Sequence, residues 1–496
     1  MPNKNPPLDP ATLPEVLASN RELTRSVSRL VRAGRLRKLG HALYTTNLSE
    51  PLEAVVRRNL WQVVGLLAPH AVITYRTAFE SRPAEDGSVF VSGDYDRTIA
   101  LPGLVVRRVR GPGPLPGDTR FVAGLHLASR PRAYLENLAP SRARGHVARA
   151  VGRAEVERRL SEILRVQGAG ALNALRDAAR ELAPTLGRER EQATLDALAG
   201  ALLGTREATL GAPAARAWAR GEPYDPGRLP LFEALRATLA ASVLPHRADD
   251  PQRQPAFAHV AFFDAYFSNF IEGTELTVEE ARAIVFDGVI PEVRPQDAHD
   301  VLGTWQVVGS LHEMRQRPRD FDGFVATLRR RHATILGGRP EKRPGELKVL
   351  ANRAGGTVFV DPRLVRGTLR AGFELYASLE HPLARALLLM FLVAEVHPFD
   401  DGNGRVARAM MNAELVAAGQ ARIIVSSVFR NEYLGSLKRL SNHGDPGPFV
   451  RVLEVCQQLV TRIAFDDFEA ARAALDACNA FEQPSDGVKL RLPPDR

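Results

Sequence analysis

The chain has 496 residues, 45% of them apolar and 25% charged, with a formal net charge of +9. That length suggests about three domains, and the composition supports a sizeable core. Two cysteines, Cys456 and Cys478, exclude a disulfide framework, and neither has a metal-type spacing partner. The positive charge admits two readings, a nucleic-acid partner or the arginine-rich, alanine-rich bias of a GC-rich genome, so its placement matters more than its sum.

The opening MPNKNPPLDP lacks the apolar core of a secretion signal, and a cytoplasmic location is expected. Residues 11–46 follow as ATLPEVLASNRELTRSVSRLVRAGRLRKLGHALYTT. They read as a short helix, a turn at Ser19-Asn20, and a second helix from Arg21 to Ala33 with Val27, Leu30 and Val31 on one face. Gly34 stops that helix. Arg35–Leu39 and Ala42–Tyr44 then alternate like two strands around Gly40-His41. Helix, turn, helix, hairpin is the order of a winged helix-turn-helix, expected over residues 1–50. Arg21, Arg25, Arg29, Arg32, Arg35, Arg37 and Lys38 crowd this stretch with Glu22 the only acid between them. In a helix-turn-helix such a stripe meets the phosphates and base edges of duplex DNA. A solvated arginine face, or one that binds a protein, stands beside that reading.

Short strand-like runs such as AVITY and SVFVSG, then the break GPGPLPGD at 111–118, make residues 51–125 a mixed α/β region with no legible chemistry. Residues 126–230 are helical and end in GEPYDPGRLP at 221–230, read as a linker. From 231 to 470 helix follows helix, interrupted by one hairpin, LKVLANRAGGTVFV, and residues 471–496 are read as a C-terminal tail. The fold class expected is mainly α.

FSNFIEGTELTVEEA, residues 267–281, reads as a helix ending near Gly273 and a second one capped at Thr277, with Glu280 completing a capping box. Glu272 would close the first helix, where a negative charge opposes the dipole. It therefore calls for a cationic partner.

The apolar run ALLLMFLVA, Ala386 to Ala394, is far short of the ~20 residues of a membrane span. It reads as a buried helix that delivers HPFDDGNGRVAR, beginning at His397. Pro398 fixes the turn, and Phe399 is read as a core anchor. Gly402-Asn403-Gly404 lets the backbone approach a ligand. The helix that follows offers an anion site at its first turn, with Arg405 and Arg408 three residues apart over it. Asp400 or Asp401 could hold a divalent metal against phosphate oxygens. His397 is suited to accept a proton near neutral pH. Phosphate cradle, metal and base together spell phosphoryl or nucleotidyl transfer.

These twelve residues resemble the signature of the Fic family in its full form, with both arginines. The resemblance spans about residues 231–465. RPGELKVLANRAGG at 343–356 is similar to the family's flap hairpin, and FRNEYLGSLKRLSNHGDPGPFVRVL to its closing helices. The resemblance implies an all-α core with one hairpin, and protein adenylyltransfer. His397 takes the proton of a target Ser, Thr or Tyr hydroxyl. Asp401 binds Mg²⁺, Gly402, Asn403 and Gly404 form the anion hole, and Arg405 and Arg408 hold the outer phosphates of ATP. Asp400 falls at a variable position. Ser268, Glu272 and Gly273 fit the family's inhibitory pattern, in the class whose brake precedes the core, with Arg408 as the partner of the glutamate. A salt bridge that only staples two helices is the plainer reading of Glu272. SVSRLVRAGRLRKLGHALYTT resembles the winged-helix domain of abortive-infection-type antitoxins, which implies transcriptional autoregulation. Three rival functions follow: a different family chemistry such as AMP removal or transfer of another phosphate-containing group, a regulator whose core senses nucleotide, and a pure binding protein.

Overall fold

The computed structural model describes residues 12–20, 22–141, 145–206, 208–250, 252–253, 255–354, 357–484 and 487–494. Among these, Val16 and Leu17 bury side chains in two different apolar clusters. Val16 joins Leu39 and Leu43, and Leu17 joins Val27 and Leu36. Successive residues that face opposite ways make a strand. The segment expected to be the first helix of a helix-turn-helix is accordingly strand β1 (Val16–Ala18). One helix, Thr24–Arg32, comes next, followed by β2 (Arg37–Gly40) and β3 (Leu43–Thr45). The three strands form an antiparallel sheet in the order β1-β3-β2. Helix and hairpin stand where the sequence placed them; the helix before them does not.

The chain divides into two compact units, residues 1–220 and 221–496. In the first, Val16, Leu39 and Leu43 share one core with Val55, Val64, Val89 and Val106, so no domain boundary falls at residue 50. Strands β4 (Val72–Ile73), β5 (Ser88–Gly93), β6 (Arg97–Leu101), β7 (Leu104–Arg110), β8 (Thr119–Arg120) and β9 (His126–Leu127) build a mixed sheet in the order β6-β7-β5-β4-β9-β8. Helices Arg130–Leu138, Arg153–Leu186, Glu189–Leu202 and Pro213–Ala219 pack around a second apolar cluster.

The second unit is helical apart from a hairpin, β10 (Arg353–Ala354) and β11 (Thr357–Val358), whose turn lies outside the described residues. Its centre is a pair of buried helices, Pro382–Val396 and Asn403–Ala417. Two sequence boundaries move. Residues 221–230 are not a linker: Glu222 pairs with Arg366 and Arg370, and the Asp225 N–H donates to Thr368. Nor are residues 471–494 a loose tail. Helix Phe468–Ala477 buries Ala471 and Leu475 in the same cluster as Phe262, Phe263 and Ile463, and Leu490 and Leu492 pack on it. Cys456 and Cys478 are both free and buried. No helix among the described residues is long and apolar enough to cross a membrane.

The strap at 222–225 reaches the helix Val365–Ala377 only because Gly367 has no side chain. A Cβ there would lie 2.2 Å from the Pro223 carbonyl oxygen and 2.4 Å from that of Glu222. Gly367→Ala should therefore destabilise the second unit by about 1–3 kcal/mol, the usual cost of overpacking. Gly435→Ala, in the helix Arg430–His443 with nothing within 4 Å of its Cβ position, should be neutral or stabilising by up to ~1 kcal/mol. Thermal unfolding of the two variants beside the parent checks this; equal midpoints would return 222–225 to the status of a linker.

Candidate active site

Helix Pro382–Val396 is apolar on nearly every side because it is buried on nearly every side, and it ends at His397. His397, at the end of the helix, takes a left-handed backbone, φ 53°, a conformation uncommon for a non-glycine residue. Its backbone N–H donates to Val393 O at 3.0 Å. Its ring Nδ1 lies 3.2 Å from Ala394 O. A carbonyl only accepts, so Nδ1 carries the proton and Nε2 keeps its lone pair. The Phe359 ring stacks on the imidazole at 3.7 Å with 5° between planes. Burial disfavours the imidazolium and is the leading cause of a pKa lowered to about 4, against the opposing pull of Ala394 O. The ring is neutral at pH 7.

Phe399 is fully buried and stacks on His332 at 3.7 Å. His332 Nδ1 accepts from the Gly345 N–H at 2.8 Å, which leaves Nε2–H to donate to Asp401 O at 3.0 Å. Asn403 closes the loop with both ends of its amide. Oδ1 accepts from the Phe399 N–H and Nδ2 donates to Phe399 O, each at 2.9 Å. The Asn403 side chain is thus spent inside the loop, and its backbone N–H is what remains for a ligand. Gly402, φ 70°, turns the chain into helix Asn403–Ala417, whose first intrahelical donor after the turn is Val406. The N–H groups of Asn403, Gly404 and Arg405 open towards the helix N-terminus, an anion site by construction. Asp401 Oδ1 accepts from the Gly402 N–H at 2.7 Å, and Oδ2 lies 3.7 Å from Lys342 Nζ. Asp400 turns away to Arg343, at 2.8 and 2.9 Å.

Arg408 is buried, and each of its three nitrogens is engaged. Nε donates to Ser268 Oγ at 3.0 Å, Nη2 to Ser268 O at 2.8 Å and to Glu272 Oε1 at 2.7 Å, and Nη1 to the Tyr433 hydroxyl at 3.4 Å. Glu272 is the residue that ends helix Ala256–Ile271, and Gly273, φ 96°, leads the chain on to the capping box of Thr277 and Glu280. Arg408 is therefore the cation that its position at a helix C-terminus called for. The carboxylate lies directly over the open helix end: a Cβ on Gly404 would sit 2.1 Å from Glu272 Oε1. Only glycine lets a carboxylate come that close.

Arg405 is placed differently from Arg408. Its Nη1 is 2.5 Å from Asp300 Oδ2 and donates to Asn269 Oδ1 at 3.3 Å, while Nη2 is 3.9 Å from Asp401. Asp300 is 1% exposed and also holds Arg339 at 2.7 Å. A carboxylate so buried requires cations, and Arg405 is largely committed to it.

His397, Arg408, Glu272 and Gly404 line one cleft of about 230 Å³ together with Phe359, Glu395 and Tyr433. Arg25, Arg29, Arg32, Arg35 and Lys38 are exposed, Arg37 is half-buried and donates to Glu50 O at 2.7 Å, and Arg21 lies outside the described residues. His332, Asp300, Lys348 and Phe359 were not singled out from the sequence. His332 sits within LRRRHAT with no neighbour that marks it. Phe359 follows a hairpin strand and carried only the signal of an apolar residue in an exposed element.

The sequence model of the Fic/DOC family matches residues 322–415. "Protein adenylyltransferase Fic" of Drosophila willistoni is 29% identical over 254 residues, 48% of this chain and 47% of that one. The protein of the same name from Drosophila yakuba is 29% identical over 243 residues, 48% of each. The chain thus spans about half the length of the curated relatives it matches. Among solved structures, a Fic-domain signaling protein from Bacteroides thetaiotaomicron is 20% identical with a TM-score of 0.37, covering 51% of this chain and 99% of that one. A Fic-1 fragment from C. elegans is 18% identical with a TM-score of 0.34, covering 69% and 90%. Signature, family-model match over residues 322–415 and named relatives agree that the likeness to the Fic/DOC family lies in the second unit of this chain.

Proposed function

We propose that this chain transfers AMP from ATP to a Ser, Thr or Tyr hydroxyl of a protein, and that Glu272 restrains it. The observation that carries the reading is a neutral histidine and a buried arginine facing one cleft at an open helix N-terminus. The relatives named protein adenylyltransferase support the nucleotide. His397 Nε2 takes the proton of the acceptor hydroxyl. The hydroxyl oxygen bonds to the α-phosphorus as the bond to the bridging oxygen breaks, and pyrophosphate leaves with that electron pair. The N–H groups of Asn403, Gly404 and Arg405 receive phosphate oxygens, and Arg408 grips the outer phosphates.

No group of three or more His, Cys, Asp or Glu side chains that could hold a metal occurs among the described residues. The lone, partly exposed carboxylate of Asp401 fits Mg²⁺ all the same, since that ion commonly takes one or two carboxylates with nucleotide phosphates supplying further ligands. Bound there, Mg²⁺ would offset phosphate charge.

Arg408 cannot serve Glu272 and an outer phosphate with the same donors. A charge-assisted hydrogen bond contributes about 1.5–3 kcal/mol, or roughly ten- to a hundredfold in ATP engagement. Glu272→Gly should raise AMP incorporation from α-labelled ATP by that order, and His397→Ala in the same background should lower it by ~10²–10⁴. γ-Labelled ATP should leave no label on protein; label from it would indicate phosphate transfer instead. Equal rates in parent and Glu272→Gly would reduce Glu272 to a staple between helices.

The histidine also sets a pH expectation. Its neutral form is the active one, and its pKa is lowered to about 4. The rate of Glu272→Gly should be flat from pH 8 to 6 and fall only as pH drops towards 4. Loss of the Glu272 charge, which favours protonation, moves the limb lower still. A midpoint near the ordinary ~6.5 would mean that His397 is solvated and not poised as described.

A second reading concerns the first unit. Arg25, Arg32, Arg35 and Lys38 are exposed and make no side-chain hydrogen bond or ion pair among the described residues. We propose duplex DNA as their partner. Affinity should then fall with salt at a log–log slope near −0.9 per phosphate contact, and reversing Arg25 and Arg29 to Glu should weaken binding to every sequence. A flat salt dependence in a gel-shift titration would point to a protein partner.

A further inference from the structure

Strands β10 and β11 share only two residue pairs, Arg353↔Val358 and Ala354↔Thr357. So short a ladder does not fix its own orientation, yet Phe359, the next residue after β11, stacks on His397 within 5° of parallel. Something else must aim it. The first strand's approach is tied to the catalytic loop: the Lys348 N–H donates to Pro398 O and Asn352 Nδ2 to Phe399 O, both at 2.9 Å. Asn352 O in turn accepts the Phe359 N–H at 3.2 Å. The second strand is held from the far side by Arg228. Its Nη2 donates to Val358 O, one residue from Phe359, and its Nη1 pairs with Glu395, two residues before His397. Glu395 is 3% exposed and accepts a second bond from Ser441, so its carboxylate is fixed. Arg228 itself stands three residues beyond the strap that Glu222 and Asp225 hold down, at the start of helix Leu229–Ala241. One guanidinium thus spans the hairpin and the end of the helix that carries the histidine, a task suited to a rigid planar fork and ill suited to a point charge.

We infer that Arg228 is a positioning residue for His397: by bridging Val358 O and Glu395 it holds Phe359 flat on the imidazole. The catalytic consequence rests on the adenylyltransfer reading; the contact itself does not.

The test has two arms. A ring stacked at 3.7 Å displaces the resonances of the imidazole protons, and histidine-labelled protein reports this at fixed pH without any turnover. Phe359→Leu supplies the unstacked reference. Arg228→Gln should move the His397 resonances most of the way to that reference. Because it strands the buried Glu395 charge, the double variant Arg228→Gln with Glu395→Gln is measured beside it, and that variant keeps the fold neutral at the site. Resonances that stay at parent values in either folded variant overturn the inference. In the Glu272→Gly background, the double variant should lower kcat about tenfold with KM for ATP within twofold, and Arg228→Lys should recover only part of the loss. An unchanged kcat also overturns it. If Glu272→Gly itself transfers no AMP, the adenylyltransfer reading fails, while the resonances still decide whether Arg228 aims Phe359.

Discussion

Arg408 is a buried guanidinium whose charge must always lie against something negative or strongly polar. Three of its bonds go to Ser268 and Glu272 on one helix, and a fourth to Tyr433 on another. A cation taken out of water and left unpaired costs several kcal/mol, so the site is never simply vacant of partners. On the proposed reading, what varies is which anion is present. Glu272 is about a third exposed and sits at the end of a helix, so of the groups around Arg408 it is the carboxylate best able to give way. Ser268 and Tyr433 remain when it does, which is why the helix end can lose one partner without losing its fold.

The rest of the second unit is arranged around that contact. Gly404 leaves room for the Glu272 carboxylate over the three open N–H groups, the place the proposal gives to phosphate. Asn403 and His332 hold the loop from inside and outside. Asn403 clips Phe399, and His332 supports Phe399 with its face and Asp401 with its ring N–H. Arg405 braces the first turn against Asp300. The left-handed backbone of His397 is maintained by this scaffold, and the stacked Phe359 keeps the imidazole dry and neutral. The neutral imidazole, the carboxylate and the scaffold therefore meet on a single helix end, with His397 on one side of it and Glu272 directly above.

Much of this was legible in the sequence because HPFDDGNGRVAR is contiguous. Its glycines, its asparagine and its arginines at a three-residue interval act within two helical turns, where spacing dictates geometry. That Glu272 needs a cation was reachable for a second reason, since an acid at a helix C-terminus is unfavourable alone; that the cation is Arg408 came from the family resemblance. What stayed hidden depends on long-range packing. Asp300 claims Arg405 from 105 positions upstream in the chain, and nothing around "HDVLGTW" marks it. Arg228 lies in a stretch rich in Pro and Gly that reads as a linker, yet Glu222 and the Asp225 N–H find partners more than a hundred residues away. The first strand failed for a local reason. ATLPEVLAS has enough helix formers to suggest a turn of helix, but Val16 and Leu17 bury in opposite directions, and pairing with β3 overrides propensity.

Competition for Arg408 can be measured without turnover by comparing nucleotides that do and do not reach it. AMP carries no outer phosphates, so it should bind the parent and Glu272→Gly with similar affinity. ATP should bind Glu272→Gly roughly ten- to a hundredfold more tightly than the parent, the equivalent of one charge-assisted hydrogen bond. Calorimetric titration of both nucleotides into both proteins gives the four constants. An ATP affinity that is the same with and without Glu272 would contradict the central claim that the carboxylate and the outer phosphates contend for one arginine.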